Sequence, residues 1–413
     1  MARLLATRRR RVLAAFIALP AAALVVVLAL VIAGAGRDGD APAQAAAGTT
    51  TATTTNHDAH PAAGSFEPDE TVLADCAADD WPCHEQAYGN LAFTDGPEAA
   101  FAAVEEALPT DAAVQGDCHR IVHTIGSAAL VRFEGDVGEA FAHGTATCAS
   151  GYYHGILERA FAGAGSRDEA SQRAGGLCRG EKIEETEFLL YQCVHGLGHG
   201  LMIYSGYDLP WALSVCDGLR TDWDQTSCTG GVFMENISSS YGITSKWVRE
   251  DDPIYPCPAM KQRHKLYCYL MVTSRVNQLN GFDWVQTAKT CRTKAEREWV
   301  ATCFESYGRD ASGQSQQDPD EVARICLIPE REQDVLSCLY GAARDLAYFD
   351  TTGERAQALC AQVARGYRAE CFFGIGTIMG GLYRSDPERR DACDRLAPTG
   401  FRASCYSGAG LAT

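Results

Sequence analysis

The sequence predicts an all-α protein: an α-solenoid of disulfide-stapled helical hairpins that follows an N-terminal transmembrane helix. Three observations lead to this prediction. An uncharged apolar run lies directly behind a cluster of arginines, a segment rich in Ala and Thr follows it, and 18 cysteines then recur, most of them in evenly spaced pairs.

The N-terminal apolar run is long enough to cross a bilayer. It extends from Val12 to Ala35, 24 residues without a charge, and follows the basic residues Arg8 to Arg11. A membrane-spanning helix needs about 20 apolar residues, and basic flanks stay on the cytoplasmic side. Residues 1–36 are therefore predicted to be a cytoplasmic flank and signal-anchor, with the C-terminal domain extracytoplasmic. The alternative is a secreted chain whose signal peptide is cleaved near Ala33–Ala35.

Residues 37–70 are rich in Ala, Thr, Gly and Pro and contain few large apolar side chains. Such a composition cannot bury enough surface to offset the entropy lost on ordering. The segment is therefore predicted to be a disordered tether. His57 and His60 lie within it and are interpreted as solvated residues, because nothing nearby fixes their geometry.

Charge and cysteine content exclude several classes of protein. The formal net charge is −17, and the exported part lacks the basic footprint that nucleic-acid binding requires. The cysteines all follow residue 75, and an even number of them in an exported chain indicates disulfides. No two have Cys-x-x-Cys spacing, which argues against zinc ribbons, thioredoxin-like redox sites and c-type haem attachment.

Seven cysteine pairs define a repeat. The members of a pair are 11 or 12 residues apart in six pairs and 15 apart in the seventh, and the first cysteines recur every 33 to 41 residues. A period in this range is typical of helical-hairpin solenoids. The pairs are Cys178/Cys193, Cys216/Cys228, Cys257/Cys268, Cys291/Cys303, Cys326/Cys338, Cys360/Cys371 and Cys393/Cys405.

Local signals assign the two cysteines of a pair to two different helices. Asp318-Pro319 and Asp386-Pro387 each precede a first cysteine and are typical of an N-cap followed by the first helical residue. The second cysteine lies in a longer amphipathic segment, such as Lys294 to Asp310. Of the four cysteines outside the repeat, Cys76 with Cys83 and Cys118 with Cys148 is the simplest pairing, although sequence does not determine connectivity.

Six of the ten histidines lie between residues 119 and 199. His119/His123, His154/Glu158 and His195/His199 are each four residues apart, so the two members share one face of a helix. One register position, six residues after a second-helix cysteine, is histidine or methionine in three successive repeats and an ordinary residue in later ones. The residues at this position are His154, His199, Met234, Ser274, Arg309, Arg344, Thr377 and Leu411.

A solenoid would place the second helices side by side and bring these pairs together on one concave wall. Residues 71–240 are therefore predicted to hold a transition-metal site, and residues 241–413 to be stapled scaffold repeats. Such ligands suit zinc, iron or copper, and Met234 would favour copper. The candidate ligands are His119, His123, His154, Glu158, His195, His199 and Glu235.

Two alternatives remain open. The chain could be an interaction module that binds a protein partner on its concave face while the histidines pack internally. It could also hold a non-covalent bis-histidine haem between the helices. If the protein is an enzyme, the ligand types predict a metal-dependent hydrolase or oxidoreductase, with Glu158 or Glu235 carrying protons. His84, His143 and His264 are interpreted as structural.

Overall fold

The computed structural model describes residues 63–145, 147–148, 150–240 and 243–412, and these are helical without any β-strand. Short 3₁₀ helices occupy Ala63–Ser65, Leu73–Asp75, Cys257–Ala259, Arg297–Trp299 and Thr399–Phe401. The α-helices of the described part are α1 (Trp81–Asp95), α2 (Pro97–Ala107), α3 (Ala112–Arg132), α4 (Val137–Ala142), α5 (Gly151–Ala162), α6 (Arg167–Leu177), α7 (Glu187–Tyr204), α8 (Leu209–Asp217), α9 (Asp222–Ile237), α10 (Gln262–Asn280), α11 (Trp284–Lys294), α12 (Val300–Gln314), α13 (Pro319–Cys326), α14 (Glu332–Asp350), α15 (Glu354–Gln362), α16 (Arg365–Leu382), α17 (Asp386–Leu396) and α18 (Arg402–Gly408).

Every cysteine is in a disulfide, and the predicted pairing is confirmed for all nine bridges, including Cys76–Cys83 and Cys118–Cys148. In the C-terminal repeats each bridge joins a helix to the helix that follows it, and in most of them the second helix is the longer one, as in α13 and α14. Closing a short loop in this way stabilises a hairpin by about 2–4 kcal/mol, mainly by restricting the unfolded chain. The helical repeat therefore carries its own covalent cross-link.

The helix starts follow the expected capping chemistry, with one correction. Asp318 caps α13 and accepts a hydrogen bond from the Asp320 amide. The helix at the second Asp-Pro sequence begins one residue earlier than predicted, since Asp386 is already helical and Ser385 is the N-cap of α17. Ser385 forms a capping box with Glu388, which satisfies two otherwise unpaired backbone donors at once.

The longer helices of the repeats form a continuous row in chain order. In this inner row each helix packs against the next: α1, α3, α5, α7, α9, α10, α12, α14, α16 and α18. Helix α9 packs against α10, so the predicted regions 71–240 and 241–413 are adjacent parts of one row. The shorter helices that carry the first cysteines pack against the inner row from the side.

The inner row curves until distant members of it meet. The Tyr348 hydroxyl of α14 donates a hydrogen bond to Oε1 of Gln192 on α7, at 2.8 Å. The rings of Phe188 and Tyr348 also pack together, with centroids 5.6 Å apart, and α16 contacts α7. The concave face therefore surrounds a central cavity of about 800 Å³.

The last residues of the predicted tether pack against the helical domain. The tether was predicted to extend to residue 70, but the Phe66 side chain is buried. Arg159 on α5 donates hydrogen bonds to the backbone oxygens of Gly64 and Phe66. One aromatic residue and one arginine thus dock the end of the tether, which its overall composition does not reveal.

The predicted transmembrane segment, Val12 to Ala35, lies outside the described residues, as do His57 and His60. Within the part of the chain that the structure describes, no helix is both long and apolar enough to span a membrane.

Candidate metal centre

Four neighbouring helices of the inner row bring the predicted site residues together. His119 and His123 lie on α3, His154 and Glu158 on α5, His195 and His199 on α7, and Glu235 on α9. We refer to these seven residues as the histidine cluster.

Glycines on α5 and α9 allow these helices to approach the histidine-bearing backbones. A Cβ atom on Gly155 would lie 1.8 Å from the carbonyl oxygen of His123, and one on Gly231 would lie 1.9 Å from that of His195. No side chain fits at either distance, so only glycine permits this packing. The helices therefore touch backbone to backbone, and imidazoles from adjacent helices project into the same small volume.

The imidazoles of His119 and His123 face each other through their Nε2 atoms, neither of which carries a hydrogen. Nδ1 of His119 lies 2.8 Å from the carbonyl oxygen of Cys148, and Nδ1 of His123 lies 2.9 Å from Oε1 of Glu158. Both oxygens accept hydrogen bonds, so each neutral ring carries its proton on Nδ1. The two Nε2 atoms are 3.0 Å apart and present only lone pairs to each other. In neutral rings no hydrogen bond can join them.

The second pair, on α7, has a similar spacing of its Nε2 atoms. Nδ1 of His199 donates to Oε2 of Glu235 at 2.9 Å, and Nε2 of His199 lies 3.3 Å from Nε2 of His195. The Tyr191 hydroxyl lies 3.3 Å from Nδ1 of His195. Glu235 is itself fixed, because the Tyr207 hydroxyl donates to its Oε1 at 2.6 Å. Carboxylates that orient an imidazole in this way are a common support for metal-binding histidines.

His154 lies between the two pairs. Its side chain is only 2 % exposed, and neither of its ring nitrogens has a hydrogen-bond partner among the described residues. The ring stacks on His199 with centroids 4.3 Å apart and lies 5.3 Å from the ring of His123. Two triads with mutually close ligand atoms result, namely His119/His123/His154 and His154/His195/His199.

Burial keeps four of these imidazoles neutral, those of His119, His123, His154 and His195. It lowers the pKa of His119 and of His123 to about 3, and it holds the pKa of His154 and of His195 well below the usual value of 6.5. Neighbouring histidines lower these pKa values further. At neutral pH the nitrogens therefore offer lone pairs, which is the form that binds a metal.

The spacing within each pair matches that of two ligands on one metal ion. Nitrogens bound to zinc at about 2.0–2.1 Å lie about 3.3 Å apart in tetrahedral geometry and about 2.9 Å apart in octahedral geometry. The observed separations of the Nε2 atoms are 3.3 Å and 3.0 Å. In the first pair, a cation between the nitrogens would also remove the repulsion between their lone pairs.

The two glutamates contact the outer nitrogens of the histidines instead of facing the predicted metal position. Glu158 and Glu235 were predicted as direct ligands, but each accepts a hydrogen bond from Nδ1, on the far side of a ring whose Nε2 faces its partner histidine. The pKa of Glu235 is about 2: burial opposes its ionisation, but hydrogen bonds from His199 and Tyr207 outweigh burial. An i,i+4 spacing places Glu158 on the same helix face as His154 but does not reveal that it reaches His123.

The other histidines lie elsewhere. His264 bonds Asp217 through Nε2 at 2.8 Å, His143 stacks on Phe133, and His84 is buried outside both triads. These placements agree with the structural roles expected for the three residues.

Residues at the shared register position face the central cavity in most repeats. The cavity wall includes His154, Met234, Ser274, Arg309, Arg344 and Thr377. Met234 therefore lines the cavity rather than joining either triad. Because His154 and His195 belong both to the wall and to the second triad, the histidine cluster is contiguous with the cavity.

Comparison of the chain with models of protein families, with curated proteins and with solved structures finds no match. The function must therefore be argued from the geometry of the cluster and the cavity.

Proposed function

We propose that this chain is an extracytoplasmic α-solenoid metalloprotein that binds two transition-metal ions in the histidine cluster. The observation that carries the proposal is the pair His119/His123. Its Nε2 atoms are 3.0 Å apart, while each Nδ1 lies within hydrogen-bond distance of an oxygen acceptor. Such a contact between lone pairs is unfavourable unless a cation lies between them.

His154 supports two ions rather than one. A single ion would use one nitrogen of its ring and leave the other buried without a partner, which costs about 1–3 kcal/mol. Two ions, one in each triad, would use both nitrogens if the ring released its N–H proton to solvent and bridged them as an imidazolate. Each ion would then have three imidazole ligands, and a fourth position would remain for water or a substrate.

Imidazole donors suit zinc, copper and iron, whereas calcium and magnesium prefer oxygen ligands. Three protein ligands with an open position are typical of catalytic rather than structural zinc sites. A metal in such a site lowers the pKa of bound water and polarises a substrate oxygen. The access of the second triad to the cavity therefore supports a metal-dependent enzyme, in which Glu158 and Glu235 orient histidines rather than carry protons.

The haem alternative fits the cluster less well. A bis-histidine haem requires a flat slot between two imidazoles. Here the imidazole rings contact one another, and glycines pack the helices too closely to leave such a slot. The interaction-module alternative explains neither the unpartnered nitrogens of His154 nor the clustering of histidines in one part of the row.

Metal content of the purified full chain tests the proposal. Wild-type protein, loaded with zinc, copper or iron and then desalted, is expected to retain two ions per chain by elemental analysis. His123→Ala and His199→Ala should each retain one ion, and His154→Ala should retain none. His264→Ala is the control and should retain two. Wild-type protein that binds none of these metals would contradict the proposal and leave the interaction module as the better explanation.

We also propose that the apolar run Val12–Ala35 anchors the protein in a membrane with the helical domain outside the cytoplasm. The length of the run, its arginine flank and the nine disulfides support this topology. The chain should remain in the membrane pellet after washing with alkaline carbonate. Recovery of a soluble chain that begins near Gly36 would instead show a cleaved signal peptide.

A further inference from the structure

Two successive repeats carry the same Arg-Asp dipeptide at the register position that holds histidine in the cluster. Arg309-Asp310 follows Cys303 by six residues, and Arg344-Asp345 is in the same position on α14. Both dipeptides line the central cavity, whose wall also includes His154 and His195. One cavity is thus bordered by imidazoles on α5 and α7 and by guanidinium groups on α12 and α14.

Only one of the two arginines has a counter-ion. The guanidinium of Arg309 forms an ion pair with Asp310 and donates to the Ser274 hydroxyl, each at 2.5 Å. Arg344 makes no hydrogen bond or ion pair with any residue that the structure describes, and its Nε is fully buried. Its guanidinium carbon lies 5.3 Å from the centroid of the Tyr340 ring.

The acidic residues of the wall do not cancel this positive charge directly. Asp310 is used by Arg309 and by the Thr273 hydroxyl, which donates to it at 2.7 Å. Burial raises the pKa of Asp345 to about 6 and also raises the pKa of Glu305. Neither carboxyl forms an ion pair with the Arg344 guanidinium, although its charge opposes the effect of burial on both pKa values. Arg344 is only half-buried, and its terminal guanidinium nitrogens are open to the cavity, where they are available to pair with a bound anion.

The wall also contains six aromatic side chains. They are Phe188, Tyr191, Trp223, Tyr267, Tyr348 and Phe349. A volume of about 800 Å³ is in the range of small-molecule sites, which combine apolar walls with a few polar anchors.

We propose that the cavity binds a small aromatic carboxylate, with its carboxylate paired to Arg344 and its opposite end directed towards the metal of the second triad. The pairing of the carboxylate with Arg344 does not depend on the metal; only the direction of the opposite end of the ligand rests on the proposed metal site. A carboxylate is favoured over a dianionic phosphate because one guanidinium lacks a counter-ion and acidic side chains lie nearby. Arginine also pairs with a planar carboxylate through two parallel hydrogen bonds.

Calorimetric titration of the full chain with benzoate and with benzamide tests the carboxylate site. The two probes have nearly the same shape, but only benzoate is charged. Benzoate is expected to bind wild-type protein at least tenfold more tightly than benzamide. Arg344→Gln should abolish this preference, and Arg344→Lys should retain part of it. Arg324→Gln, at an exposed arginine of α13 that pairs with Glu321, is the matched control and should bind like wild type.

Two measurements separate this inference from the proposed function. Metal-free wild-type protein should still prefer benzoate to benzamide, because Arg344 belongs to the chain itself. In protein loaded with cobalt(II), benzoate should change the visible d–d absorption of the metal, and Arg344→Gln should remove that change. Equal binding of both probes to wild-type protein, or an undiminished preference in Arg344→Gln, would overturn the carboxylate site even if two metal ions bind. A preference without any cobalt binding would retain it and reject the metal centre.

Discussion

Replacing His154 with phenylalanine should change stability in opposite directions with and without metal. The substitution keeps an aromatic ring on α5 and removes two ring nitrogens that are buried without partners. An unsatisfied buried polar group costs about 1–3 kcal/mol. In metal-free protein, His154→Phe should therefore raise the free energy of unfolding by about 1–3 kcal/mol.

Bound metal should reverse the order of stability of wild-type protein and His154→Phe. Free metal at 1,000 times its dissociation constant stabilises the folded state by about 4 kcal/mol per site. Wild-type protein should gain this stabilisation when zinc is added, and His154→Phe should lose most of it because both triads share the missing ligand. Wild type is then the more stable protein in zinc and the less stable one after treatment with a chelator.

Denaturation by urea under oxidising conditions, with and without zinc, measures both effects. His264→Phe is the matched control, because Nε2 of His264 is already satisfied by Asp217 at 2.8 Å. That variant should lose stability whether or not zinc is present, and zinc should stabilise it as much as wild type. Our reasoning would be refuted if His154→Phe destabilised the metal-free protein, or if zinc stabilised His154→Phe and wild type equally.

Two further predictions concern the packing of the cluster and the cavity. Gly155→Ala places a Cβ 1.8 Å from the His123 carbonyl oxygen, so α3 and α5 must separate and the metal dissociation constant should rise at least tenfold. Gly175→Ala, with no atom within 4 Å of its Cβ, should leave metal binding unchanged in the same equilibrium titration. Burial raises the pKa of Asp345 to about 6, so its ionisation removes stability as pH rises from about 4 to 6. Asp345→Asn should therefore stabilise the fold by up to about 3 kcal/mol at pH 7.5 and have little effect at pH 4, measured by urea denaturation.

The sequence predicts the helical hairpins, their cross-links and the members of the histidine cluster because each depends on periodic spacing. Bridges such as Cys326–Cys338 join residues that lie close together along the chain, so a constant interval is enough to identify them. His119 and His123 share a helix face for the same local reason. Their convergence with His154 then requires only that successive repeats pack in order.

Other features depend on contacts between distant residues and have no local signal. The hydrogen bond that His123 donates to Glu158 joins two helices, so the spacing of Glu158 from His154 does not predict it. The enclosure of the cavity depends on a contact between Tyr348 and Gln192, which are 156 residues apart. The binding role proposed for Arg344 depends on the same contact, because Arg344 and His195 line one cavity only where α14 returns to α7.

The contact between Tyr348 and Gln192 also changes how the protein should unfold. In an open array of repeats, stability is approximately a sum of terms between neighbours, and the ends can fray independently. Here α14 and α16 contact α7, so the loss of a C-terminal repeat would expose the wall of α7 as well as that of its own neighbour. Gln192 also donates to the hydroxyl of Ser150, just before α5, at 3.1 Å. Unfolding at one end of the chain would thus reach the helices that carry His154 and His195, which couples the integrity of the scaffold to that of the metal centre.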